Sequence, residues 1–91
     1  MKKVLLVDDE VQILKALIRV FIDCEYDVFT AENGKDALEI LERQEVDLII
    51  SDMRMPDIDG YELLSRVKEL YPNIIRIILS GFSDERIITG I

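Results

Sequence analysis

Three apolar stretches end in residues equipped for chemistry. Val4-Leu5-Leu6-Val7 runs into Asp8-Asp9, Leu48-Ile49-Ile50-Ser51 into Asp52, and Ile74-Ile75-Arg76-Ile77-Ile78-Leu79 into Ser80. Singly, each ending has an ordinary explanation, because an Asp or Ser after a strand commonly N-caps the next helix, and Asp9 followed by Gln12 fits that use. Together they point to a cluster. Two carboxylates about 5 Å apart repel by roughly 3 kcal/mol at an effective dielectric of about 20. Three brought to one place need a raised pKa or a divalent cation to offset that repulsion, and an all-oxygen donor set suits Mg²⁺ or Mn²⁺.

The surrounding elements must bring them together. Runs at 4–7, 46–50 and 74–79 are short, rich in β-branched residues and bounded by polar or turn residues, as buried parallel strands are, with a weaker run at 27–31. Between them, Leu14, Leu17, Ile18 and Phe21 repeat at helical spacing, as do Leu63, Val67, Leu70 and Tyr71. Asn33-Gly34 opens a second helix, Asp59-Gly60-Tyr61-Glu62 has the D-x-x-E form of a capping box, and Pro72 closes the third helix. The order expected is strand 3–7, helix 10–23, strand 27–31, helix 34–44, strand 47–51, helix 59–71, strand 74–79 and helix 83–91. Such alternation makes a doubly wound α/β sheet whose strand C-termini share one edge, where ligands collect. In the flavodoxin-like order, strands 1 and 3 are neighbours, and Asp8, Asp9 and Asp52 converge.

Composition narrows the chemistry. The 91 residues suit one domain, and no apolar run approaches the roughly 20 residues that span a bilayer. The N-terminal apolar run breaks at Asp8-Asp9-Glu10 without a small-residue cleavage site, so a cytoplasmic protein that does not insert in a membrane is expected. With a single cysteine, Cys24, and no histidine, an internal disulfide, a Cys/His metal cluster and a His-assisted nucleophile are all excluded. A net charge of −8 argues against direct nucleic-acid binding. No strand is followed by a glycine-rich phosphate loop, and neither Asp52 nor Asp57 starts a loop with EF-hand spacing.

Asp8-Asp9 after the first strand, Asp52-x-x-Met55-Pro56-x-x-x-Gly60 after the third and Ser80-Gly81 after the fourth resemble the receiver domain of two-component response regulators, over residues 2–91. The resemblance implies that Asp52 accepts a phosphoryl group from the phosphohistidine of a sensor histidine kinase or phosphotransfer protein. It further implies that Asp9, Asp52 and the main-chain carbonyl of Arg54 ligate Mg²⁺, with Asp8 holding it through water. Ser80 matches the hydroxyl that senses the phosphoryl group and signals to an output domain or effector protein. Arg54 and Phe82 fall where side chains of the family influence water's access to the acyl phosphate, Ser83 suits the N-cap of a fourth helix, and Met53 and Met55 are expected to pack.

The family continues through a fifth strand, ending in a lysine, and a fifth helix. Neither has a counterpart in residues 1–91, so a single receiver domain of strand order 2-1-3-4, incomplete at its C-terminus, is expected. Lys2, Lys3, Lys15, Lys35 and Lys68 lie at strand starts or on helices, none placed to substitute for that lysine. An open fourth-strand edge predicts a homodimer by edge pairing or by exchange of the last elements, unless the chain is a fragment of a longer regulator. Three functions fit these residues. The first is a phosphoacceptor switch that promotes its own modification without turnover. The second is a degenerate receiver that serves only for association. The third is an aspartyl-nucleophile phosphatase of the haloacid dehalogenase type, which wants a D-x-D pair where this chain has Asp52 and Arg54.

Overall fold

A computed structural model describes residues 1–79 and the backbone of residues 87–90. The elements are β1 (Lys3–Val7), α1 (Val11–Asp23), β2 (Asp27–Ala31), α2 (Gly34–Arg43), β3 (Leu48–Asp52), α3 (Gly60–Leu70), β4 (Ile75–Leu79) and β5 (Ile87–Gly90). The sheet runs β2-β1-β3-β4-β5, and every pairing among the first four strands is parallel. This is the doubly wound order expected from the alternating pattern.

The interior follows from the strand period of two. On β1, Val4 and Leu6 point to one face, where Leu14 and the half-buried Leu17, Ile18 and Phe21 of α1 cover them. Leu5 and Val7 point to the other, under Ala37 and Leu41 of α2 and Leu63, Leu64 and Val67 of α3. Four of the five β1 residues are buried because helices lie on both sides, which is why the strand reads as an unbroken apolar run. On α3, Leu64 takes the core place expected of Leu70, which stays 62% exposed on the last turn.

Helix starts obey local chemistry. The Asn33 side chain accepts from the Asp36 N–H at 2.8 Å, and Asp59 accepts from the Glu62 N–H at 2.8 Å. Only that half of the expected capping box forms, since the Glu62 carboxylate pairs with Arg66 at 2.7 Å, one turn on. Asp59→Ala removes this cap and is expected to cost about 1 kcal/mol in urea denaturation; an unchanged midpoint would show that the α3 start is held by its packing alone.

The C-terminal end differs from expectation. A fourth helix was predicted over 83–91, but residues 87–90 form β5, paired antiparallel to β4 with Leu79 opposite Ile87 and Arg76 opposite Gly90. Residues 83–86 lie outside the described residues. The physical reason is the β4 edge: a strand with unpaired N–H and C=O groups is a template, and Ile87-Ile88-Thr89 is β-branched throughout, which favours strand over helix. A fifth strand is therefore present, with reversed direction, and the open β4 edge that predicted homodimer pairing is covered.

Candidate acidic site at the strand ends

Parallel β1 and β3, aligned with Val7 opposite Ser51, deliver the next residue of each strand to the same sheet edge. Asp8 is only 4% exposed. Its N–H donates to the Ala31 carbonyl at 3.1 Å, and its carboxylate Oδ1 accepts from the Glu10 N–H at 2.9 Å, a turn closed by the side chain. Asp9 is exposed, and the N-cap of α1 is Glu10, which makes no side-chain capping bond. The capping explanation for Asp9 thus falls away, leaving its carboxylate at the rim of the cluster.

Asp52 closes β3 and is partly buried. Its carboxylate accepts from the Met53 N–H at 2.9 Å and from the Arg54 N–H. Ligand-capable oxygens of Asp8, Asp9 and Asp52 all lie within 4.8 Å of one another. Burial pushes the Asp8 carboxyl up to about 6; the Glu10 N–H opposes this, while the charges of Asp52, Asp9 and Glu10 add to it. Burial likewise raises Asp52, against its Met53 and Arg54 N–H donors and with repulsion from Asp9 and Glu10. Three acids at this separation, two of them strained towards the neutral form, fit a hard divalent cation with oxygen ligands such as Mg²⁺ or Mn²⁺. Glu10, absent from the expected site, belongs to its electrostatics, and its place directly after Asp8-Asp9 made that legible.

The loop from Met53 to Asp59 is anchored as well as acidic. Met55 is buried in the core and Met53 and Ile58 pack against it, as expected of packing residues. Asp57 adopts a left-handed φ of 69°, a conformation Asp tolerates, and turns the chain into α3. Gly60 sits so close beneath Asp52 that a Cβ there would collide with the Asp52 carbonyl oxygen and come within 2.9 Å of the Met53 Cα. Both obstacles are backbone. Gly60→Ala is therefore expected to destabilise by about 2 kcal/mol despite alanine's better helix propensity, and a melting temperature at or above that of the parent would refute the close approach. Beside the cluster, Asp9, Arg54, Pro56, Asp59 and Tyr61 line an open groove of about 530 Å³.

The expected site is therefore assembled in part. Asp8, Asp9 and Asp52 meet, and Arg54 borders them with an exposed side chain and an N–H on Asp52. Ser80, Phe82 and Ser83 lie outside the described residues.

Fold and site together define a doubly wound α/β domain with an acidic centre at the C-terminal ends of β1 and β3. The family model for the response regulator receiver domain matches residues 4–90, and the chain belongs to that family. It is 44% identical over 89 residues to the hydrogenase transcriptional regulatory protein HoxA of Cupriavidus necator, covering 97% of this chain but 18% of HoxA. It is 39% identical to the sporulation initiation phosphotransferase F of Bacillus subtilis, over 91% of this chain and 67% of that protein. Among solved structures, the response regulator TrrA of Thermotoga maritima in complex with Mg(2+)-BeF is 35% identical with a TM-score of 0.87, covering 94% of this chain and 75% of TrrA. TrrA in complex with the histidine kinase ThkA superposes with a TM-score of 0.84 at 35% identity, over 91% of this chain and 72% of the matched one. No helix among the described residues is long and apolar enough to cross a membrane.

Proposed function

We propose that this chain is the phosphoacceptor module of a two-component system, with Asp52 as the residue modified. The observation that carries the reading is the meeting of Asp8, Asp9 and Asp52 within 4.8 Å at the strand ends. An Asp52 carboxylate oxygen forms a bond to phosphorus as the phosphorus–nitrogen bond of a phosphohistidine breaks, and the imidazole nitrogen keeps the electron pair. The Met53 and Arg54 N–H groups hold the carboxylate in place for that attack, which is mainly a matter of positioning and charge. Asp9, Asp52 and the main-chain carbonyl of Arg54 would ligate a divalent cation, with Asp8 holding it through water. When bound, Mg²⁺ or Mn²⁺ supplies the positive charge that offsets the three acids and the incoming phosphoryl oxygens. Ser80, next in sequence after β4, is the hydroxyl that reads the modification.

The donor is a sensor histidine kinase or a phosphotransfer protein, in keeping with TrrA, which was solved with the kinase ThkA. The module serves an output domain or effector protein, in keeping with HoxA, a transcriptional regulator of which this chain spans 18%. Residues 1–91 act as one receiver domain that is modified in the cytoplasm without turning over substrate. Incubation with Mg²⁺ and acetyl phosphate, followed by intact-mass measurement, is expected to give a single phosphate adduct. A parent chain that stays unmodified under saturating donor would make it an association module.

A further inference from the structure

β3 carries one polar residue where an apolar one would pack better. Ser51 is fully buried, in the middle of the sheet between Val7 of β1 and Ile78 of β4. A buried hydroxyl costs roughly 1 to 3 kcal/mol unless it is hydrogen-bonded, and β-branched apolar residues suit such a position. Its bond is informative: the Ser51 hydroxyl donates to the carbonyl oxygen of Asp52 at 2.9 Å. That same oxygen is the atom a Cβ on Gly60 would collide with.

A peptide unit is planar, so a carbonyl held at Asp52 also fixes the direction of the Met53 N–H. This N–H reaches Asp52 Oδ1 at 2.9 Å and, over a longer path, the Leu79 carbonyl at 3.3 Å. The far side of the same residue is tied too, because the Met53 carbonyl accepts from the Gly60 N–H at 2.9 Å. Rotation of the 52–53 peptide would carry the Met53 N–H off the carboxylate and release the side chain towards other rotamers. Ser51 and Gly60 both restrain that rotation, one by a hydrogen bond and one by its close approach.

We propose that Ser51 is a positioning residue for Asp52: its buried hydroxyl locks the 52–53 peptide plane, and through the Met53 N–H it holds the carboxylate facing Asp8 and Asp9. The inference rests on the reading of Asp52 as the acceptor, but its structural content can be read without phosphorylation. Thr and Val have the same shape and differ in the hydroxyl, so Ser51→Thr and Ser51→Val carry the same added bulk. Relative to Ser51→Thr, Ser51→Val is expected to bind Mg²⁺ about 10-fold more weakly and to be phosphorylated by acetyl phosphate about 10-fold more slowly at saturating Mg²⁺. In the metal-free protein, the Met53 amide proton moves upfield in Ser51→Val and keeps its parental position in Ser51→Thr, while the two variants melt together.

Equal Met53 resonances and equal Mg²⁺ affinities in the pair would overturn the proposal. Should the buried site refuse the extra methyl groups, Ser51→Ala against the parent gives the same comparison without added bulk, with the same upfield shift and weakened Mg²⁺ binding expected. A parent chain without an adduct would defeat the acceptor reading alone, since the Met53 resonance and Mg²⁺ affinity still decide the role of Ser51.

Discussion

Asp52→Asn is expected to abolish the phosphate adduct formed with acetyl phosphate and Mg²⁺, leaving intact mass unchanged after an incubation that modifies the parent chain. The substitution keeps shape and keeps an oxygen to accept the Met53 and Arg54 N–H bonds, so the loop from Met53 to Asp59 retains its anchor. What it removes is the charged nucleophilic oxygen. An amide oxygen is a far weaker nucleophile, and the two acids that remain are differently held: Asp8 is 4% exposed and tied to the Glu10 N–H, and Asp9 stands at the exposed rim. Neither has Asp52's place at the end of the central strand. The same variant should unfold at a higher denaturant concentration than the parent when divalent cations are absent, because burial and the charges of Asp9 and Glu10 raise the Asp52 carboxyl and its ionised form is costly in the fold. Its stabilisation by Mg²⁺ should shrink, since a weakened ligand set leaves less binding free energy to favour the folded state. An adduct of undiminished yield in Asp52→Asn would move the acceptor elsewhere and sink the assignment.

Asp8 governs the second large effect, a stability that rises as pH falls. Its carboxyl is raised from 3.8 to about 6 on folding, so between those values the folded chain binds more protons than the unfolded one. Stability therefore decreases with rising pH across that window, the reverse of a salt-bridged carboxylate. Below 3.8 both states are protonated and nothing is lost; above about 6 the full penalty applies, about 3 kcal/mol from the size of the shift. Asp8→Asn keeps an oxygen for the Glu10 N–H and carries no charge. It should match the parent in acid and exceed it by about 2 to 3 kcal/mol near pH 7 without divalent ions, with the gap closing as Mg²⁺ is added to the parent. Urea denaturation as a function of pH checks this, and parallel profiles for the two chains would show that Asp8 carries no such penalty.

Much of the domain is legible in short windows. The β1 run Val4–Val7, the β3 run Leu48–Ser51 and the helical spacing of Leu14, Leu17, Ile18 and Phe21 are local patterns, and their burial follows from period alone. Asn33 and Asp59 cap their helices because the cap is formed by residues three apart in sequence. The acids are legible for the same reason, since a polar residue ending each apolar run lies at the C-terminal end of a parallel strand.

Other features depend on how atoms meet in the folded chain. Ser51 looks like a break in a strand until its hydroxyl is found on the Asp52 carbonyl, and Gly60 looks like a helix-start glycine until that carbonyl is found pressed against it. The choice of strand for residues 87–90 is not local either: Ile-Ile-Thr-Gly is compatible with a frayed helix end, and the open edge of β4 tips it to a ladder. The sequence by itself determined the alternating elements, the doubly wound sheet and the three acids at its strand ends, because period, caps and strand termini are properties of neighbouring residues. Only the tertiary structure decided that Asp9 is released from capping, that Asp8 is buried with a raised pKa, that Ser51 and Gly60 grip the main chain of Asp52, and that the last strand runs antiparallel. Those outcomes are set by burial, charge proximity, backbone contact and edge pairing in the folded chain, which period and propensity do not report.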